Sequence, residues 1–175
     1  MTLAAGGKVD AGDFVPGVSI GIPAYVFKGA AETVTDSATI QNDDALFFTM
    51  VPGARYVVDV IVAAKATATA DFKSDWDGPV DMTGGKWALG PAATTSGGVV
   101  ARDDANGRFG FHGTATDIDY TMASASSDSM IREWGWVESA TGGTFRWRWA
   151  QNTETAAAES AIVNSASYMV YTRVS

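Results

Sequence analysis

The sequence predicts an all-β protein: a jelly-roll-type antiparallel β-sandwich over residues 31–175, preceded by an extended N-terminal arm over residues 1–30. Three observations lead to that class. Short runs rich in β-branched and aromatic residues recur along the chain between glycine, proline, asparagine and aspartate turn signals. Amphipathic helical spacing is almost wholly missing. Phe145, Trp147 and Trp149 alternate with Arg146 and Arg148, a period of two that only a strand turns into one apolar and one polar face.

Taken in order, the first 30 residues carry Gly6, Gly7, Gly12, Pro16, Gly17, Gly21 and Pro23 around short apolar pieces at 18–22 and 25–27. They read either as an arm docking on a neighbouring surface or as a disordered terminus. Residues 33–40 are rich in β-branched side chains, Gln41-Asn42-Asp43-Asp44 is a turn, and 46–51 is an apolar run stopping at Pro52-Gly53. Residues 56–64 are apolar on nearly both faces, as in a strand in the middle of a sheet, covered by the partner sheet on one side and by a loop or neighbouring subunit on the other. Residues 63–70 continue that strand or form a loop. Residues 71–90 read as an irregular surface connection pinned by Trp76 and Trp87, and 92–98 as a polar loop. Runs at 99–102 and 109–112 flank Asn106-Gly107, a hairpin signal, and 114–122 is a half-buried strand with Ile118, Tyr120 and Met122 on one side.

Residues 131–151 read as a β-hairpin closed at Gly142-Gly143. That register sets Trp136 opposite Trp149 and Glu138 opposite Trp147, leaving Trp134, Trp136, Trp147 and Trp149 on one face as core or platform. Aromatic pairs of this kind add about 0.5–1.5 kcal/mol each beyond the area they bury. Beyond it, Thr153 either caps a short helical turn or sits in a polar loop. Residues 168–174 form the closing strand. Eight or nine short strands with almost no helix describe a sandwich of jelly-roll type or a closed barrel.

A chain of 175 residues is one domain in length. With 46% apolar and 18% charged residues it has the composition of an ordered protein. Cysteine is absent, which excludes disulfides, thiolate metal sites and cysteine nucleophiles. A net charge of −8 argues against nucleic-acid partners, which need lysine and arginine to displace counterions. Residues 56–64, the longest apolar stretch, are interrupted by Asp59 and far short of the roughly 20 residues that cross a bilayer, so no membrane partner is expected.

Reaction chemistry finds little footing. His112 is the only histidine, and no nucleophile motif accompanies it, so a strand-end histidine is expected. Aspartates gather at Asp71, Asp75, Asp77 and Asp81 and again at Asp103 and Asp104 beside Asn106; oxygen-rich loops suit calcium, but neither group has a fixed ligand spacing, and turn-forming, solubilising roles compete with a structural ion. Glu133 and Glu138 stand beside tryptophans, yet their opposite parity sends them to different faces, whereas a glycosidase needs two carboxyls facing one cleft. A sugar-stacking surface from Trp134, Trp136, Trp147 or Trp149 remains open beside core packing. The expectation is no enzyme, no catalytic residue, no metal and no cofactor.

The order of elements resembles small jelly-roll virion proteins of tailed bacteriophages, particularly capsid (head) decoration proteins and related tail components of phages infecting actinobacteria. The resemblance covers residues 33–175 and rests on DDALFF at 43–48, Tyr56, DFKSDWDGP at 71–79, WAQN at 149–152 with the Thr, Glu and Ala loop that follows, and the closing strand from Ser167-Tyr168 to Arg173-Val174. Ala166 stands where such proteins often carry glycine. The resemblance implies a non-enzymatic decoration protein on the outer capsid surface of the virion, made in the host cytoplasm. It implies the major capsid protein as partner, a homotrimer, and an N-terminal arm that grips the shell. A tail protein or a host-facing carbohydrate-binding module is the alternative.

Overall fold

The computed structural model describes residues 12, 14–91, 108–122, 125–154 and 159–175. Among them the chain forms twelve strands: β1 (Pro23–Phe27), β2 (Glu32–Thr35), β3 (Gln41–Met50), β4 (Ala54–Ala66), β5 (Phe72–Asp77), β6 (Thr83–Gly90), β7 (Arg108–Gly113), β8 (Ile118–Tyr120), β9 (Ser129–Ser139), β10 (Gly143–Ala150), β11 (Ser160–Val163) and β12 (Tyr168–Arg173). The larger sheet runs β1-β12-β4-β9-β6-β7, with β11 pairing both β2 and β4; the smaller runs β3-β10-β5-β8. Every pairing is antiparallel.

The expected jelly roll is visible in the pairing. Without β2, β11 and the β6–β7 hairpin, the remaining strands pair outermost with outermost: β1 with β12, β3 with β10, β4 with β9, β5 with β8. A long hairpin rolled into two sheets has this connectivity. The paired strands β6 and β7 then extend the larger sheet past β9. The central strand is β4, whose inward residues Ala54, Tyr56, Val58, Val60, Val62, Ala64 and Ala66 are all buried. Facing them, β3, β5 and β10 supply Phe48, Phe72, Trp76, Phe145, Trp147 and Trp149. Phe72 stacks on Trp149 at 5.4 Å between ring centroids, Trp76 meets Phe145 edge-on at 5.2 Å, and Phe48 lies on Tyr171 at 4.0 Å.

The main departure from expectation lies at Gly142-Gly143. β9 pairs with β4 and β6, and β10 with β3 and β5, so the two arms belong to opposite sheets and the glycines turn a corner between them instead of closing a hairpin. Both glycines have positive φ, 69° and 132°. The conformational demand that marks a tight hairpin turn also arises where a chain crosses between sheets. A Cβ on Gly142 would lie 2.8 Å from the Met50 carbonyl oxygen, so the corner packs directly on the end of β3. Asp81 fastens it, accepting hydrogen bonds from Ser139 Oγ at 2.6 Å, the Thr141 amide at 2.9 Å and Thr141 Oγ1 at 2.8 Å. Trp147 and Trp149 therefore face inward while Trp134 and Trp136 lie on the opposite face of the other sheet. The expected pairs Trp136 with Trp149 and Glu138 with Trp147 do not form.

Smaller corrections follow from pairing that composition hides. Residues 41–44 are not a turn but the start of β3, bulged where the register against β10 shifts from Arg146↔Phe47 to Arg148↔Asn42. Residues 71–90 contain β5 and β6; the acidic DWD of β5 is tolerable in a sheet because Arg148 on β10 pairs with Asp75 through two hydrogen bonds. Trp76 is fully buried, whereas Trp87 is exposed. Within the segment expected as an arm, Pro23–Phe27 is already a strand on β12. The runs at 99–102, the Asn106-Gly107 turn, Asp103 and Asp104 lie outside the described residues.

Candidate interaction surface

Side-chain alternation decides what each sheet face shows. On β9, Ile131, Glu133, Val137 and Ser139 are buried, so Met130, Arg132, Trp134, Trp136 and Glu138 face away from the core. The register carries this outward set across the whole larger sheet. One row reads Tyr25, Val170, Asp59, Trp134, Trp87, Phe111 from β1 to β7. The next reads Phe27, Tyr168, Ile61, Arg132, Leu89, and a third holds Val57 beside Trp136.

The result is an aromatic face with two dense ends. At the β1 edge Phe27, 65% exposed, stacks against Tyr25 at 6.2 Å and tilts on Tyr168 at 5.8 Å. At the far end Trp87 and Phe111, 47% and 42% exposed, meet edge-on at 5.3 Å. Arg55 lies 4.8 Å over Trp136 and Arg132 5.1 Å over Trp134, both cation–π contacts. Between the ends sits a bidentate Arg132–Asp59 pair, 2.9 and 2.7 Å. Hydrogen bonding to Asp59 raises the Arg132 pKa and fixes its charge.

Beside this face, Gly53, Asp81, Thr83, Glu138, Ser139 and Ala140 line an open groove of about 390 Å³. Both of its carboxyls are engaged by neighbouring side chains. Hydrogen bonds from Ser139 and Thr141 hold Asp81 down at about 2, and Glu138 pairs with Arg55 at 2.7 Å. A carboxyl held that low does not match the raised pKa of a glycosidase acid, so Asp81 is not a candidate for that role.

Among the described residues two polar clusters are built around buried lysines, and the sequence signalled neither. Lys28, just past β1, places its ammonium 2.7 Å from Glu32, 2.9 Å from Asp43 and 2.5 Å from Asp44. Burial works against the charge, but hydrogen bonds to Asp44, Glu32 and Asp43 outweigh it and the pKa is raised. These three carboxylates resemble a cation cage; the lysine itself occupies it. Asp43 also accepts from the Trp149 indole at 3.2 Å and from the Ala45 and Leu46 amides at 2.9 Å. The second cluster joins Lys86 and Glu133 between the sheets, with Ser74 and Tyr120 hydrogen-bonded to the carboxylate.

The sequence-derived candidates do not converge. His112 is half-buried on β7, across from Lys86. Asp71 accepts from the Met122 amide, Asp75 holds Arg148, Asp77 lies 3.9 Å from the same arginine, and Asp81 serves the corner. Glu133 and Glu138 do face opposite ways. Of the four tryptophans considered for stacking, Trp147 and Trp149 are fully buried; Trp134 and Trp136 are on the outer face.

No family model matches the chain, and no curated protein matches its sequence. Among solved structures, those titled as infectious bursal disease virus, Gt and Gx strains, are similar at 7% and 8% identity. The alignments cover 90% and 89% of this chain, 38% and 37% of theirs, and each has a TM-score of 0.19, too low to carry an argument about fold or role. The chain thus spans under two fifths of those proteins.

Proposed function

We propose that the chain is a non-enzymatic phage virion structural protein, a decoration protein that binds and stabilises the outer surface of the major capsid protein shell as a trimer. The observation that supports it most is the aromatic outer face, which crosses six strands from Phe27 to Phe111 and whose charges Asp59 and Arg132, Arg55 and Glu138 are paired with one another. Apolar patches of that extent mark contact surfaces. A flat sheet face repeated around a three-fold axis would close on itself, which leaves the N-terminal segment to grip the shell. The resemblance of residues 33–175 to decoration proteins supplies the virion context, and a charge of −8 keeps copies soluble at high local concentration.

Addition of purified protein to undecorated particles is the test. The full chain is expected to bind and to raise the temperature at which shells open. Deletion of residues 1–13, a cut that spares β1, is expected to leave circular dichroism unchanged and abolish attachment. Unchanged attachment would remove the arm from the account, and failure of the full chain to bind would remove the decoration role. The exposed indoles of Trp87 and Trp136 favour one second reading, a tail protein or carbohydrate-binding module, in which glycan-array binding vanishes on Trp136→Ala.

A further inference from the structure

Lys86 on β6 and Glu133 on β9 stand diagonally on adjacent strands, Lys86 across from Gly135 and Glu133 across from Ala88. Both point between the sheets, with side chains 0% and 1% exposed. Lys86 Nζ is 3.3 Å from Glu133 Oε2, yet neither atom has a hydrogen bond of proper geometry. An ammonium carries three donors, and leaving them unmet in a dry interior is costly. The other carboxylate oxygen is well supplied: Oε1 accepts from the Tyr120 hydroxyl at 2.8 Å and from Ser74 Oγ. The Trp76 ring lies 5.6 Å from Nζ and closes the site on that side.

We propose that Lys86 and Glu133 become joined by an intramolecular amide bond, an isopeptide cross-link between β6 and β9. Burial lowers the Lys86 pKa, against the opposing charges of Glu133 and Asp75, and so favours the neutral amine that acts as a nucleophile. Transfer of the ammonium proton to the carboxylate within the pair gives an amine beside a carboxylic acid. The Nζ lone pair then attacks Cδ, and the electron pair of the C=O bond moves onto Oε1, where the Ser74 and Tyr120 hydroxyls stabilise the developing charge as an oxyanion hole does. The Cδ–Oε2 bond breaks as that oxygen takes a proton from Nζ and leaves as water. One C–N bond has formed, one C–O bond has broken, and no oxidant or further reactant is consumed. The fixed contact supplies the effective concentration, and exclusion of solvent opposes hydrolysis. This inference depends on the core alone and stands whether or not the protein coats a capsid.

Mass spectrometry of the purified, denatured full chain tests it. After allowance for removal of Met1, the chain is expected to be lighter than its sequence by one water. Trypsin is expected to spare Lys86 and to yield residues 74–102 joined to residues 133–146. The Lys86→Met chain is expected at full mass, and because the wild-type peptide map is decisive, poor folding of that variant does not blunt the test. A wild-type chain at full sequence mass overturns the proposal. So does a water loss mapped elsewhere, such as a succinimide at Asp77-Gly78.

Discussion

β9 and β10 leave the same glycine corner with two tryptophans each, and the two pairs meet different surroundings. Trp147 and Trp149 on β10 lie between the sheets, stacked on Phe72 at 6.1 and 5.4 Å. Trp134 and Trp136 on β9 face away from the core, each under an arginine. Residue type alone does not separate the pairs; their parity against charge does. Trp147 and Trp149 alternate with Arg146 and Arg148, so the charges take the outer face. Trp134 and Trp136 share parity with Arg132 and Glu138, and Glu133 is sent inward. The teaching is that an aromatic residue belongs to the core when the charges on its strand have the other parity.

Substitutions sharpen the contrast. Trp147→Ala is expected to cost roughly 3–5 kcal/mol in urea unfolding, as for other large core aromatics. Lys28→Met, which leaves Asp43 buried beside two more carboxylates under the Trp149 indole, is expected to cost about 3 kcal/mol; a cost near zero would show that the cage is solvated. Trp136→Ala is expected to cost only about 0.5–1 kcal/mol of chain stability, the worth of its exposed arginine contact, but to weaken association between copies. Equal costs at Trp136 and Trp147 would dissolve the distinction between the two arms.

The smallest effect concerns the corner that separates them. Asp81 titrates at about 2, below the ordinary carboxylate value near 3.9. A depressed carboxyl contributes stability above its unfolded pKa and loses it as pH falls from about 4 towards 2. Asp81→Asn is expected to flatten that part of the acid-unfolding profile, and an unchanged profile would show that Asp81 does not hold the corner.

Much of the fold was legible. The alternation of β10, the inward set Ile118, Tyr120 and Met122, the two-sided central strand and the jelly-roll class all follow from periods of two bounded by turn residues. Sheet membership was not, because alternation fixes parity within a strand but does not name its neighbours; Gly142-Gly143 suits a hairpin and a corner equally. The polar clusters were hidden by distance along the chain. Lys28 meets Asp43 and Asp44, and Lys86 meets Glu133, across separations that no local pattern spans. β5 was missed because DWD reads as a turn until Arg148 is placed beside Asp75. For the outer face the signal was present: Trp134 and Trp136 share the parity of Arg132 and Glu138.

In the proposed trimer the aromatic outer face of the larger sheet is covered by other copies of the chain. Light scattering of the purified protein, wild type beside a Val57→Asp, Trp136→Ala double variant, tests it most directly. Three chain masses are expected for the wild type and one for a variant that remains folded by circular dichroism. A wild-type protein at one chain mass across the accessible concentration range would contradict it.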